Sequence, residues 1–117
     1  MKQTWPGDVR YFILELKGSP LGSVAIESAN ADLCYLERLA VLPHARNNGY
    51  GHQLVEHVFE TARQFGLKTI SIGIIARQTD LKQWYQKIGF VEGEIKEFKH
   101  LPFQVCFMTY ALKGHDY

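Results

Sequence analysis

The sequence predicts one α/β domain, in which a mixed sheet of about six or seven strands carries two main helices. Three observations favour this fold class. β-Rich segments open the chain and end at Pro43, an amphipathic helical pattern follows, and residues 68–75 are then almost entirely apolar. Such an apolar run is typical of a strand buried on both faces. Because a helix between two strands forms a crossover, strands 33–42 and 68–75 should be parallel neighbours.

The first three strands form a meander. Val9 to Leu16 and Leu21 to Glu27 are rich in β-forming residues, and the turn segment Lys17-Gly18-Ser19-Pro20 separates them. This pattern predicts a β-hairpin. The third strand, Leu33 to Leu42, ends at Pro43, which cannot donate a main-chain hydrogen bond to a sheet.

Two helices and two further strands complete the predicted fold. The first helix opens at Gly49 and Gly51 and ends at Gly66. Its apolar face carries Leu54, Val55, Val58, Phe59, Ala62 and Phe65. The second helix is short and carries Leu81, Trp84, Tyr85 and Ile88 on one face. Strands at 90–97 and 103–112 follow it.

Composition excludes several classes of function. The 117 residues are 46% hydrophobic and 21% charged, as in ordinary globular proteins, and suggest a single domain over residues 1–117. With 13 basic and 12 acidic residues there is no basic excess, so no nucleic-acid partner is expected. No segment approaches the ~20 apolar residues of a membrane span, and no His, Cys and carboxylate cluster indicates a metal. Cys34 and Cys106 lie in apolar stretches, which favours buried thiols and a cytoplasmic location.

A glycine-containing loop, Arg46-Asn47-Asn48-Gly49-Tyr50-Gly51, joins the third strand to the first helix. The first turn of a helix has N–H groups without internal partners, and the helix dipole adds partial positive charge there. Glycines allow a ligand to approach the backbone closely. The loop is therefore a candidate site for a phosphate or pyrophosphate.

The same residues resemble the GNAT acetyltransferases. The strand end Leu39-Ala40-Val41-Leu42-Pro43 and the loop Arg46 to Gly51 are similar to the family's Arg/Gln-x-x-Gly-x-Gly/Ala motif. Residues Trp84 to Phe90 look like its aromatic-Tyr-x-x-x-Gly-Phe segment. The resemblance runs from about residue 9 to 112 and implies a GNAT-like acyl-CoA N-acyltransferase fold. It also implies transfer of an acetyl group from acetyl-CoA to a primary amine of a small molecule or peptide, by direct attack through a tetrahedral intermediate.

The resemblance also implies which residues bind acetyl-CoA. The pyrophosphate would lie on the backbone at Asn47, Asn48, Gly49, Tyr50 and Gly51, assisted by the charge of Arg46. His52 and Tyr85 would also contact the cofactor. In the family this strand and the next parallel strand separate, so the pantetheine arm would lie in the gap and pair with the main chain at Leu39, Ala40 and Val41. A backbone N–H there can polarise the thioester carbonyl. Gln78 stands near this arm, at a position where many members have Asn.

Two proton transfers need side chains. Tyr85 occupies the family's usual acid position and would protonate the departing thiolate; the alternative is a core aromatic residue. Glu37 is the candidate base, acting directly or through a water, and the alternative is a solvated carboxylate that pairs with Arg38.

The front of the chain departs from the family pattern. Members usually begin with a strand and two helices that cover the acceptor site, whereas eight residues precede the first strand here. We therefore expect an acceptor site that is truncated, open or completed by another chain. A homodimer through an exposed final strand is one solution. Two alternatives stay open, a non-catalytic acyl-CoA-binding module and a binding protein for another phosphate ligand.

Overall fold

The computed structural model describes residues 9–112 of the chain. The strands in this part are β1 (Val9–Leu16), β2 (Ser19–Ser28), β3 (Leu33–Val41), β4 (Thr69–Ile75), β5 (Val91–Glu97) and β6 (Gln104–Ala111). Helix α1 (Tyr50–Gln64) joins β3 to β4, and helix α2 (Thr79–Ile88) joins β4 to β5. The predicted mixed α/β fold with two main helices is confirmed. Residues 1–8 and 113–117 lie outside the described part.

The six strands form one sheet in the order β1-β2-β3-β4-β6-β5. β1, β2 and β3 are the antiparallel meander expected from the sequence, and β4, β6 and β5 pair antiparallel. The central pair, β3 and β4, is parallel. The crossover predicted from the position of α1 is therefore confirmed.

The prediction that the final strand is an exposed edge is wrong. β6 lies between β4 and β5, so the edges of the sheet are β1 and β5. Burial explains the order. Cys106 and Met108 of β6 are fully buried and need neighbours on both sides, whereas every residue of β5 is exposed. A charged, solvent-facing strand such as β5 suits an edge, because its charges oppose pairing with other chains.

Both helices pack on one face of the sheet. The rings of Phe12 in β1 and His57 in α1 meet with centroids 4.5 Å apart. The Tyr110 ring of β6 stacks on Phe59 of α1 at 4.1 Å, and the same ring lies beside Gly89, which ends α2. The buried core lies between this face and the helices. We call the opposite side of the sheet the open face.

Glycines terminate α1 at both ends. Gly66 adopts φ of 76°, the left-handed conformation that its place after the helix predicted, and Gly49 at the N-cap adopts φ of 79°. No helix within residues 9–112 has the length and apolar character needed to cross a membrane.

Candidate active site

The parallel pairing of β3 and β4 covers only half of β3. It joins Leu33 to Thr69, Cys34 to Ile70 and Tyr35 to Ser71, and no further pair follows. Beyond this point β3 stays paired with β2, and β4 stays paired with β6. Each strand thus follows its other neighbour, and the two separate. A cavity of about 570 Å³ occupies the gap between them.

A second cavity, of about 520 Å³, lies where β3 leads into α1. The predicted cofactor-binding residues that line it are Leu39, Ala40, Val41, Arg46, Asn47, Gly49, Tyr50, Gly51 and His52. Both cavities share Leu39 and Leu81, so together they form one groove from the strand gap to the start of α1. Gln78, Glu37 and Tyr85 line the first cavity. The groove therefore brings together all the predicted site residues except Asn48.

The start of α1 is open to an anion. Its N-cap, Gly49, has no side chain to cap the helix, and the first turn contains no acidic residue. The N–H groups of this turn therefore have no side-chain acceptor, and the helix dipole is not offset by a carboxylate. His52 lines the same cavity, and its imidazole lies 3.6 Å from Glu56.

Hydrogen bonds within the loop fix its shape. The Asn48 side-chain amide donates to the carbonyl oxygens of Ala45 and Arg46, each at 3.0 Å. The Arg46 Nε donates to the Val41 carbonyl at 3.1 Å. Asn48 thus stabilises the loop through these two hydrogen bonds, whereas Arg46 lines the groove. A short 3₁₀ helix, Pro43–Ala45, leads into this loop and was not predicted from the sequence.

Trp84 is part of the groove, a position that its place on the apolar face of α2 did not reveal. A Cβ placed on Gly51 would lie 3.3 Å from the Trp84 ring. The absence of a side chain at Gly51 therefore lets α1 and α2 meet closely at the groove floor. The sequence shows the glycine loop and the Trp84 to Phe90 segment as two separate motifs. Their separation along the chain does not reveal how close they lie in the fold.

A β-bulge shapes the strand at the other end of the groove. Ser23 pairs with Ala40 and Ala25 pairs with Glu37, so two residues of β3, Arg38 and Leu39, oppose Val24 alone. Arg38 adopts φ of 53°. Such an insertion leaves backbone groups of the bulged strand unpaired. The predicted seat of thioester polarisation, near Leu39, is at this irregularity.

Glu37 lies on the open face, opposite Ala25, and lines the strand gap. Its pKa is raised, first by burial, then by a hydrogen bond and charge repulsion from Glu27, while the Arg38 charge lowers it. Its Oε1 atom is buried and has no hydrogen-bond partner within residues 9–112. A carboxyl group with a raised pKa beside a cavity is a candidate general base. Glu27 was not among the predicted site residues, because only the strand register brings it near Glu37.

Tyr85 lines the gap from the helix side and is 5% exposed. Its ring meets Trp84 and Phe90 edge-on, with centroids 5.0 and 5.3 Å away. Burial raises the pKa of its hydroxyl to about 12, so the phenol is protonated at neutral pH. Acid and base candidates thus line one cavity from two elements. Among the described residues, no group of three or more metal-ligating side chains comes together.

Known proteins are similar to this chain in sequence. The Acetyltransferase (GNAT) family profile matches residues 2–90. The amino-acid acetyltransferase of Neisseria meningitidis serogroup A is 33% identical over 81 residues, which cover 68% of this chain and 18% of that enzyme. The chain thus spans less than a fifth of the length of this curated relative.

Solved structures are similar in fold. A GNAT family acetyltransferase from Elizabethkingia anophelis with acetyl-CoA bound superposes with a TM-score of 0.82 at 20% identity, over 87% of this chain and 75% of that one. The ribosomal-protein-S18-alanine N-acetyltransferase from Escherichia coli gives 0.79 at 20% identity, over 92% and 72%. At these identities the likeness is one of fold. Together with the family match, it confirms the resemblance found in the sequence: the chain belongs to the GNAT acetyltransferase family.

Proposed function

We propose that this chain transfers the acetyl group of acetyl-CoA to a primary amine, by direct attack through a tetrahedral intermediate. The observation that carries the proposal is the groove. Its two cavities meet at Leu39 and Leu81 and extend from an uncapped helix N-terminus to a gap between parallel strands, which is lined by a half-buried carboxylate and a buried phenol. Acetyl-CoA has a matching layout, because its pyrophosphate and its thioester lie at opposite ends of a long pantetheine arm.

Residues at the α1 end would hold the pyrophosphate. The N–H groups of the first turn and the Arg46 guanidinium present positive charge on one side of the groove. Gly51 lines the same cavity, and the Trp84 ring occupies the space that a side chain at Gly51 would need. The arm would then follow Val41, Ala40 and Leu39 into the strand gap, where β3 has main-chain groups that face no β4 partner.

The strand gap supplies the groups for chemistry. Bound acetyl-CoA provides an activated acyl group, and an unpaired N–H of the bulge near Leu39 would stabilise negative charge on its carbonyl oxygen. Glu37, directly or through a water, accepts the proton that the ammonium must lose before its nitrogen attacks. Attack forms the C–N bond and a tetrahedral intermediate, whose nitrogen loses its second proton to solvent. As the C–S bond then breaks, Tyr85 gives its proton to the sulfur. The proton on Glu37 can then restore Tyr85 through solvent.

The acceptor is a small-molecule or peptide amine. A relative named for amino acids and a fold neighbour named for a ribosomal protein's alanine illustrate these two kinds of substrate. We further propose a cytoplasmic enzyme. If the acceptor site needs a second chain, the edge strand β1 is the surface for a homodimer, because the charges of β5 oppose pairing.

The test combines binding with turnover. We expect acetyl-CoA to raise the melting temperature, since it binds only the folded state, and we expect free CoA thiol to appear with at least one amine of a broad panel. Glu37→Gln should keep the thermal shift and lose turnover by about 10²-fold or more. Stabilisation without turnover on any amine would favour the non-catalytic acyl-CoA-binding module. No stabilisation at all would favour a different phosphate ligand.

A further inference from the structure

Arg38 occupies a backbone conformation that side chains rarely adopt. Its φ of 53° lies in the left-handed region, where glycine is the usual residue. The residue is the extra one of the β3 bulge, opposite Val24. Bulges near active sites often redirect a side chain. The contacts of the Arg38 side chain therefore show where the bulge directs it.

The side chain reaches the open face, where Tyr11 of β1 holds it. The Tyr11 hydroxyl accepts a hydrogen bond from Arg38 Nη1, and the guanidinium carbon lies 5.8 Å from the centroid of the Tyr11 ring. Within residues 9–112, no carboxylate lies within 4.0 Å of this guanidinium. The cation is thus oriented by a neutral partner, and most of its five N–H donors remain for a ligand.

Arg38 and Glu37 line the same cavity from consecutive positions. Glu37 contributes a carboxyl group whose Oε1 atom is buried, and Arg38 contributes an exposed planar cation that suits a carboxylate. The cavity therefore has adjacent sites for a positive and a negative group. An α-amino acid has an ammonium and a carboxylate on one carbon, which is the smallest ligand that satisfies both.

We propose that Arg38, oriented by Tyr11, binds the carboxylate of an α-amino acid acceptor while its amine lies at Glu37. This inference rests on the proposed acetyltransferase function and names the substrate class of the same site. Arg38 is then a specificity-determining residue, and the bulge directs its side chain to the cavity.

The test uses matched acceptors, namely free amino acids, their carboxamides and the corresponding decarboxylated amines, across several side chains. Assays are run on the high-pH plateau, because the Arg38 charge also acts on Glu37. We expect the wild type to prefer the acid, and Arg38→Gln to reduce that preference by about 10- to 100-fold, through KM more than kcat. Arg38→Gly relieves the backbone conformation and should give the same loss, which separates the side chain from the bulge. Tyr11→Phe should give a smaller loss.

Arg63→Gln is the matched control. Arg63 lies on α1, beside Glu60 and away from the groove, so its substitution should leave the preference for acids unchanged. A wild type that acetylates amides or decarboxylated amines as well as the acids would overturn the inference and leave the proposed function intact. An equal loss for all three acceptors in Arg38→Gln would also overturn it. Absence of turnover on every amine would overturn both.

Discussion

Replacing Tyr85 by Phe removes one hydroxyl from the cavity and leaves the ring in place. The contacts that hold this residue are ring contacts, with Trp84 at 5.0 Å and Phe90 at 5.3 Å, and both would remain. We therefore expect the free energy of unfolding to change by less than about 1 kcal/mol. The affinity for acetyl-CoA should also stay the same, because the pyrophosphate end of the groove is untouched.

The expected loss of rate follows from the pKa of Tyr85. Burial raises it to about 12 from 10.0, which favours the neutral phenol by roughly 3 kcal/mol. The Tyr85 phenol is thus protonated at any assay pH. Because it is a weak acid, however, transfer of its proton to the sulfur is less favourable. General acid catalysis contributes about 10²- to 10⁴-fold, and we place Tyr85 at the lower end, about 10² in kcat. For the same reason, deprotonation of Tyr85 should not lower wild-type activity below about pH 10.

Thiol release at saturating acetyl-CoA and amine measures this effect. Tyr110→Phe is the matched control, because Tyr110 stacks on Phe59 in the same aromatic core and does not line the groove. Rates must be independent of solvent viscosity, so that chemistry rather than product release is observed. An undiminished kcat in Tyr85→Phe under these conditions would refute the acid role and leave Tyr85 a core aromatic residue.

Three further predictions use other parts of the site. Glu27→Gln removes a carboxylate that raises the pKa of Glu37, so the acidic limb of kcat/KM should move to lower pH; a limb that stays or rises contradicts the coupling. Gly49→Ala, at φ of 79° in open space, should lower stability by about 1 kcal/mol in urea unfolding and weaken acetyl-CoA binding. Gly18→Ala, at φ of 81° and equally open, is the control: it should lower stability by a similar amount and leave acetyl-CoA binding unchanged. Cys34 is fully buried with its thiol pKa raised to about 12, so a thiol reagent at pH 8 should label it only after unfolding.

Local pattern predicted most of the fold. The periodicity of residues 54–65 and the apolar run after it determined α1, β4 and the parallel crossover, because both signals depend on neighbours in sequence. The position of β6 was missed, since the order of strands in a sheet is decided by burial across the whole chain. The composition of the two strands did distinguish them: β5 is charged and exposed, as an edge strand can be, whereas β6 carries the buried Cys106.

The two ends of the groove also differ in how far the sequence alone predicted them. The loop at Gly49 was found from sequence because a helix start and its glycines are local features. The strand gap was expected only through family resemblance, and the bulge at Arg38 not at all. Both depend on which residues of β2, β3 and β4 stop pairing, and no single segment encodes that. Tyr11 and Glu27 join the site for this reason alone.

Deleting Arg38 would separate the bulge from the stability of the sheet. In the present register, Glu37 faces Ala25 and Ala40 faces Ser23, so removal of one residue leaves Leu39 opposite Val24, with no other side chain changing face. The deletion should therefore give a regular β2–β3 pair whose free energy of unfolding stays within about 1–2 kcal/mol of wild type. Backbone groups that the bulge leaves free would then pair with β2, and the loss of an oxyanion donor lowers kcat by about 10²- to 10³-fold. Arg38→Gly keeps the bulge and should retain far more turnover than the deletion on decarboxylated amines. Equal turnover in these two variants would show that the bulge itself contributes nothing to catalysis.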